Sequence, residues 1–119
     1  DIVDAALSAE INGIFATNTT VSRDGLNGPF AQETGGLSGT PLFDLSTHIL
    51  RAFSKRLDGR LPLVGIGGIS SAKDATAKLD AGATAVQIYT AMIYKGLSLA
   101  ADIARELDRQ PSAARSRAG

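Results

Sequence analysis

The run Leu61-Pro-Leu-Val-Gly-Ile-Gly-Gly-Ile-Ser70 constrains this chain more than any other stretch. A short apolar segment ends in two adjacent glycines, and a serine pair that can start a helix follows. The pattern partly recurs at Ala83-Thr-Ala-Val-Gln-Ile-Tyr-Thr90. Two strand ends this close together, each leading into a helix, describe consecutive βα units of a parallel sheet. Glycine has no Cβ, so φ can turn positive and a ligand can touch the main chain. The helix that follows offers unpaired N–H groups and the positive end of its dipole. Together these make an anion site without lysine or arginine. In (β/α)8 barrels such a site commonly follows strands 7 and 8. A phosphate group is the reading that uses all of these features. The alternative is a tight turn that needs glycine for steric reasons alone, and the glycine pair by itself does not choose between them.

Length and charge narrow the field. The 119 residues suffice for one modest core, whereas a closed eight-stranded barrel takes about 250. Twelve Lys and Arg balance twelve Asp and Glu, so nucleic-acid binding has no electrostatic support. The absence of cysteine removes disulfides, thiolate zinc sites and a cysteine nucleophile. With His48 as the single imidazole, a histidine-rich metal site is excluded. No apolar stretch approaches the ~20 residues of a membrane span. The opening Asp1-Ile-Val-Asp4 has no Met, basic region or signal pattern and reads as the interior of a longer chain.

Along the chain, Ile2, Val3, Ala6, Leu7 and Ile11 have helical spacing, with a left-handed close expected at Asn12-Gly13. Gly13 to Thr17 reads as a short parallel strand covered on both faces. Val21 to Gly39 has no period and forms a long loop, of the kind that is usually functional in compact domains. Thr40 can cap the next helix with Pro41 in its first position. Leu42, Leu45, Ile49, Phe53 and Leu57 would form its apolar stripe, and Gly59 its end. Arg51, Lys55 and Arg56 read as a solvated helix end, and His48 as a packed or rim residue. Leu61 to Ile66 is the second strand. Ser71 and Asp74 start a helix with a capping-box-like pair, closed at Gly82. Ala83 to Tyr89 is the third strand, Lys95-Gly96 breaks the following turn, and Leu97 to Leu107 is a last helix. The tail 111–119 has no apolar period and is expected to be disordered.

Right-handed crossovers send all three strand ends to one face, where ligands bind in such folds. Thr17-Asn18-Thr19, Gly67-Gly68 and Tyr89-Thr90 gather there, and Gly35 to Gly39 can join them. Asn18 and Thr19 offer a carbonyl, an amide and a hydroxyl. Those groups suit a planar ligand with alternating C=O and N–H groups, or else cap the strand-end turn. Tyr89 and Thr90 can close around a phosphate with the Gly67 and Gly68 amides, or Tyr89 can be a packing residue at the rim. Asp24, Glu33 and Asp44 have nothing to orient them, so no general base and no catalytic residue is assigned.

Four segments in order resemble one family. They are Ala16-Thr-Asn-Thr-Thr20, Thr34-Gly-Gly-Leu-Ser-Gly-Thr-Pro-Leu42, Gly59-Arg-Leu-Pro-Leu-Val-Gly-Ile-Gly-Gly-Ile69 and Val86-Gln-Ile-Tyr-Thr90. Together, and with Ser46-Thr47, they resemble the C-terminal part of the quinone-linked class 2 dihydroorotate dehydrogenases. The resemblance covers the chain up to its last nine residues. It implies an α/β fold, a partial TIM (β/α)8 barrel of three βα units corresponding to strands 6 to 8, over residues 1–110. It implies FMN as cofactor and oxidation of dihydroorotate to orotate in pyrimidine synthesis, with a quinone as acceptor. By resemblance Thr17 contacts FMN, and Asn18 and Thr19 contact the orotate ring. Gly39 and Gly68 give main-chain contacts to FMN, and Tyr89 and Thr90 complete the phosphate pocket with Gly67 and Ser38.

The resemblance also implies parts not found here. The family's serine base, a flavin-contacting lysine, several substrate asparagines and the N-terminal quinone tunnel lie outside these residues. The 119 residues alone are therefore expected to be inactive, needing the missing barrel half or self-association. The whole enzyme is expected in the bacterial cytoplasm, peripheral to the inner membrane. Two rival readings are a non-catalytic half-barrel that binds phosphate or flavin, and a piece of another phosphate-binding barrel enzyme.

Overall fold

The computed structural model describes residues 1–24, 26–29 and 31–110. The expected tail, 111–119, lies outside the described residues. The elements run α1 (Ile2–Ser8), β1 (Ile14–Ala16), a 3₁₀ turn (Thr40–Leu42), α2 (Phe43–Leu57), β2 (Leu63–Ile66), α3 (Ala72–Asp80), β3 (Ala85–Gln87), α4 (Thr90–Lys95) and α5 (Leu99–Asp108). The three strands form one parallel sheet in the order β1-β2-β3. Ala16 pairs with Gly65 and Gly65 with Val86, so every strand ends on the same side.

Local chemistry sets the helix starts. Asp1 accepts from the Asp4 N–H at 3.0 Å and caps α1. Ser71 Oγ accepts from the Asp74 N–H at 3.1 Å and caps α3. The Asp74 carboxylate accepts from the N–H and hydroxyl of Ser70, one residue before the cap, at 2.9 and 3.0 Å. Each such cap contributes about 1 kcal/mol. As expected, Gly82 follows α3 with a positive φ of 112°.

Several boundaries differ from the sequence expectation. α1 closes at Ala9 with Glu10 in the left-handed region, not at Asn12-Gly13. Gly39, not Thr40, caps the 3₁₀ turn that leads into α2. The region after β3 holds two helices, with α4 unanticipated and Gly96 at φ 90° separating it from α5.

The buried stripe of α2 is also rotated. Leu42, Ser46, Thr47, Leu50 and Leu57 are buried, while Leu45 is 43% exposed. The cause lies opposite, in β2 and its glycines. A Cβ on Gly65 would come within 3.1 Å of Leu50, and one on Gly67 within 2.9 Å of Ser46 Oγ. Bare main chain there lets α2 approach on its Ser46–Leu50 side.

The main core joins Val3, Ala16, Leu50, Leu57, Leu63, Ala81 and Ala83. A second cluster joins Ile69, Ala75, Leu99 and Ile103, with Val86 and Met92 against it. Both lie on the helix-covered side of the sheet. The other side is open: Phe15 of β1 is 66% exposed. β1 is thus not covered on both faces by the described residues, because three strands cannot curl back on themselves as a closed barrel does.

Candidate functional site

The strand ends deliver their residues to one cavity of about 570 Å³, within the size range of small-molecule sites. Thr17, Asn18 and Thr19 reach it from β1, Gly67 and Gly68 from β2, and Tyr89 and Thr90 from β3, with Ser38 and Gly39 from the long loop. Of the loop stretch Gly35 to Gly39, Ser38 and Gly39 line this space, whereas Gly35, Gly36 and Leu37 do not. No carboxylate lines it among the described residues, and Lys95 does.

The β2 end is pure main chain. Gly67 and Gly68 have φ of 108° and 73°, a region closed to most side chains. Gly68 backs onto the start of α2. Gly39, at φ 84°, lies where a Cβ would be 3.3 Å from the Thr90 methyl. The Ser38 and Thr90 hydroxyls share a hydrogen bond of 2.8 Å, which ties the long loop to the start of α4. Lys95 Nζ donates to the Ser70 carbonyl at 2.8 Å, closing the β2–β3 side of the mouth.

The β1 end is polar. The Asn18 side-chain carbonyl accepts from the Thr19 N–H at 2.8 Å, so it caps its own turn and leaves the amide N–H₂ for a ligand. A Cβ on Gly36 would overlap the Thr19 hydroxyl, so the loop lies directly on Thr19. Arg23 holds that loop. Its guanidinium donates to the carbonyls of Thr20, Ser22, Glu33 and Gly35, and Thr20 and Leu37 form a bridge with N···O distances of 3.0 and 2.6 Å.

Behind the glycines is a buried polar cluster that the sequence reading did not single out. Lys78 and Ser46 are both 0% exposed. Lys78 Nζ donates to Ser46 Oγ and lies 4.7 Å from the centre of the Phe43 ring. Burial pushes the Lys78 amine down to about 8, against the opposing pull of Asp74 and then Asp44. Ala75 and Lys78 are three apart and so share one face of α3, but only the fold shows that this face is the buried one. His48 is exposed, and the described residues hold no group of three metal-binding side chains.

The donor set suits a ligand with an anionic end and an apolar ring system. Two side-chain-free positions, hydroxyls at Ser38 and Thr90 and a wall without carboxylates favour a phosphate dianion. The cavity's apolar portion, including Leu42, Ile66 and Ile88, can take a ring system.

The family model described as dihydroorotate dehydrogenase matches residues 1–110. A dihydroorotate dehydrogenase (quinone) of Cereibacter sphaeroides is 58% identical over 108 residues, covering 91% of this chain and 30% of that protein. The corresponding protein of Cupriavidus pinatubonensis is 49% identical over 108 residues, covering 90% of this chain and 31% of its own length. The crystal structure of a ligand-free DHODH from Eimeria tenella superposes with a TM-score of 0.85 at 40% identity, covering 89% of this chain and 30% of that one. The chain thus spans about 30% of the length of the relatives it matches. With a family model over nearly its whole length and three parallel strands arranged as in these relatives, the chain belongs to the dihydroorotate dehydrogenase family.

Proposed function

We propose that this segment forms the FMN-phosphate site and half of the substrate site of a quinone-linked dihydroorotate dehydrogenase. The segment would be strands 6 to 8 of a (β/α)8 barrel. One observation carries the reading: three parallel strand ends bring Thr17 to Thr19, Gly67-Gly68 and Tyr89-Thr90 to a single carboxylate-free cavity.

In this reading the Gly67 and Gly68 main chain, Gly39, Tyr89 and Thr90 hold the phosphate, and Ser38 orients the Thr90 hydroxyl. Thr17 touches the flavin. Asn18 donates its amide to a carbonyl of the dihydroorotate ring, and Thr19 offers its hydroxyl beside it. These contacts fix the ring's orientation, which is worth more to the rate than to binding alone. Bound FMN supplies the hydride acceptor. The proton-removing serine comes from outside these residues, so the 119 residues by themselves bind but do not turn over. By its similarity to bacterial quinone-linked relatives, the whole enzyme would pass electrons to a quinone through a region outside this segment and would work in the bacterial cytoplasm, peripheral to the inner membrane.

The test uses the native polypeptide that carries this segment. FMN is titrated in, and dihydroorotate is then added without oxygen. The flavin absorbance should bleach, and added quinone should restore it. A protein that takes up no FMN, or whose bound flavin ignores dihydroorotate, would sink the proposal.

A further inference from the structure

We propose that Lys78 is a positioning residue for the anion-binding main chain: through Ser46 it sets the Gly67–Gly68 peptide so that the Gly68 N–H faces the cavity. The inference rests on the flavin-phosphate reading above and names a device behind it.

A serine hydroxyl has one proton to give. Ser46 Oγ is within reach of two carbonyls, Phe43 at 3.0 Å and Gly67 at 3.1 Å. The Phe43 carbonyl already accepts from Thr47 Oγ1 at 2.7 Å, and Lys78 Nζ lies 3.4 Å from it. The Gly67 carbonyl has no other donor among the described residues. An ammonium can only donate, so Lys78 occupies a lone pair of Ser46 Oγ and turns the serine proton away from itself. The proton goes to Gly67, the acceptor otherwise left unpaired. The result is a directed chain from Lys78 to Ser46 to the Gly67 carbonyl.

The Gly67–Gly68 peptide is trans. In a planar trans peptide the C=O and N–H point in opposite directions. With the carbonyl drawn inward to Ser46, the Gly68 N–H points the other way, to the cavity that both glycines line. It donates to no group among the described residues. Two adjacent glycines place few steric limits on a flip of the peptide between them. The buried chain removes that freedom before any ligand arrives, which is preorganisation of a donor toward a developing contact. Burying an ammonium is costly unless its donors are used. Here they meet Ser46, the Phe43 carbonyl and the Phe43 ring face.

The test compares FMN with riboflavin, which lacks the phosphate, by fluorescence titration of the native polypeptide that carries this segment. Lys78→Met and Ser46→Ala should each weaken FMN binding about tenfold and leave riboflavin binding nearly unchanged. The double variant should be no weaker than Lys78→Met alone, since both act through one chain. A folded Lys78→Met protein with an unaltered FMN-to-riboflavin ratio overturns the proposal and leaves the flavin site standing. If Lys78→Met does not fold, Ser46→Ala, which removes a single oxygen, decides by the same ratio. An unsubstituted protein with no preference for FMN over riboflavin overturns the phosphate reading itself, and this proposal with it.

Discussion

Gly68 lies against the first residue of α2: a Cβ at Gly68 would sit 2.5 Å from the Cα of Phe43. The contact is main chain against main chain, so no side-chain rotation relieves it. Gly68 is also at φ 73°. Gly68→Ala therefore combines a conformational cost of about 1–2 kcal/mol with an overpacking cost of about 1–3 kcal/mol. The urea midpoint of the native polypeptide should fall accordingly, and FMN should no longer be retained on gel filtration. An unchanged midpoint would show that α2 does not seat on this glycine.

Gly36 supports the other half of the cavity. Its missing Cβ is what lets the long loop rest on the Thr19 hydroxyl. Gly36→Ala should push Thr19 aside and raise the KM for dihydroorotate about tenfold, the scale of one lost polar contact. FMN affinity should fall less, because Gly36 bears on Thr19 whereas Gly39 and Thr90 meet at the proposed phosphate end. Equal losses in both would contradict the division of the cavity into two ends.

Arg23 is the clamp of that loop, with one guanidinium serving four carbonyls. Lysine has no planar fork and cannot reproduce the set. Arg23→Lys should speed hydrogen exchange and proteolytic cutting in the loop between Arg23 and Gly35 while the melting temperature moves little, since none of the loop's described residues belongs to the two apolar clusters. Unaltered exchange in this loop would show that the Thr20–Leu37 bridge suffices.

Lys78 gives stability a pH dependence of definite sign. The unfolded chain holds the proton up to 10.5, whereas the fold releases it from about 8. Between these values the unfolded state binds more protons, so stability rises with pH through that window. Asp74 of α3 and Asp44 of α2 moderate the effect by favouring the charged form. The difference in urea midpoint between the native sequence and Lys78→Met should change across this range in favour of lysine. A difference that is flat with pH would place the amine's titration elsewhere.

The legible part of this chain is the part written in local sequence. Apolar runs ending in Gly67-Gly68 and Tyr89-Thr90 announced parallel strands. The helix start at Ser71 was visible because capping acts over three or four residues, whereas the start expected at Thr40-Pro41 is a 3₁₀ turn capped by Gly39, with α2 beginning at Phe43. The α2 stripe was misplaced because its period is compatible with two neighbouring faces. Bare main chain at Gly65 and Gly67, on another element, chose the face bearing Ser46 and Leu50.

By itself the sequence determined three βα units and the common face to which their strand ends bring Thr17 to Thr19, Gly67-Gly68 and Tyr89-Thr90. It did so because strand ends, glycine turns and helix caps are short-range signals that survive without knowledge of neighbours. Only the tertiary structure decided that Lys78 is a buried donor and not a surface cation, that Arg23 clamps the loop, and that Gly36 bears on Thr19. Those roles depend on which group stands opposite, 17 to 32 positions away in the chain for Gly36–Thr19 and Lys78–Ser46. Spacing along one helix or strand carries no record of it.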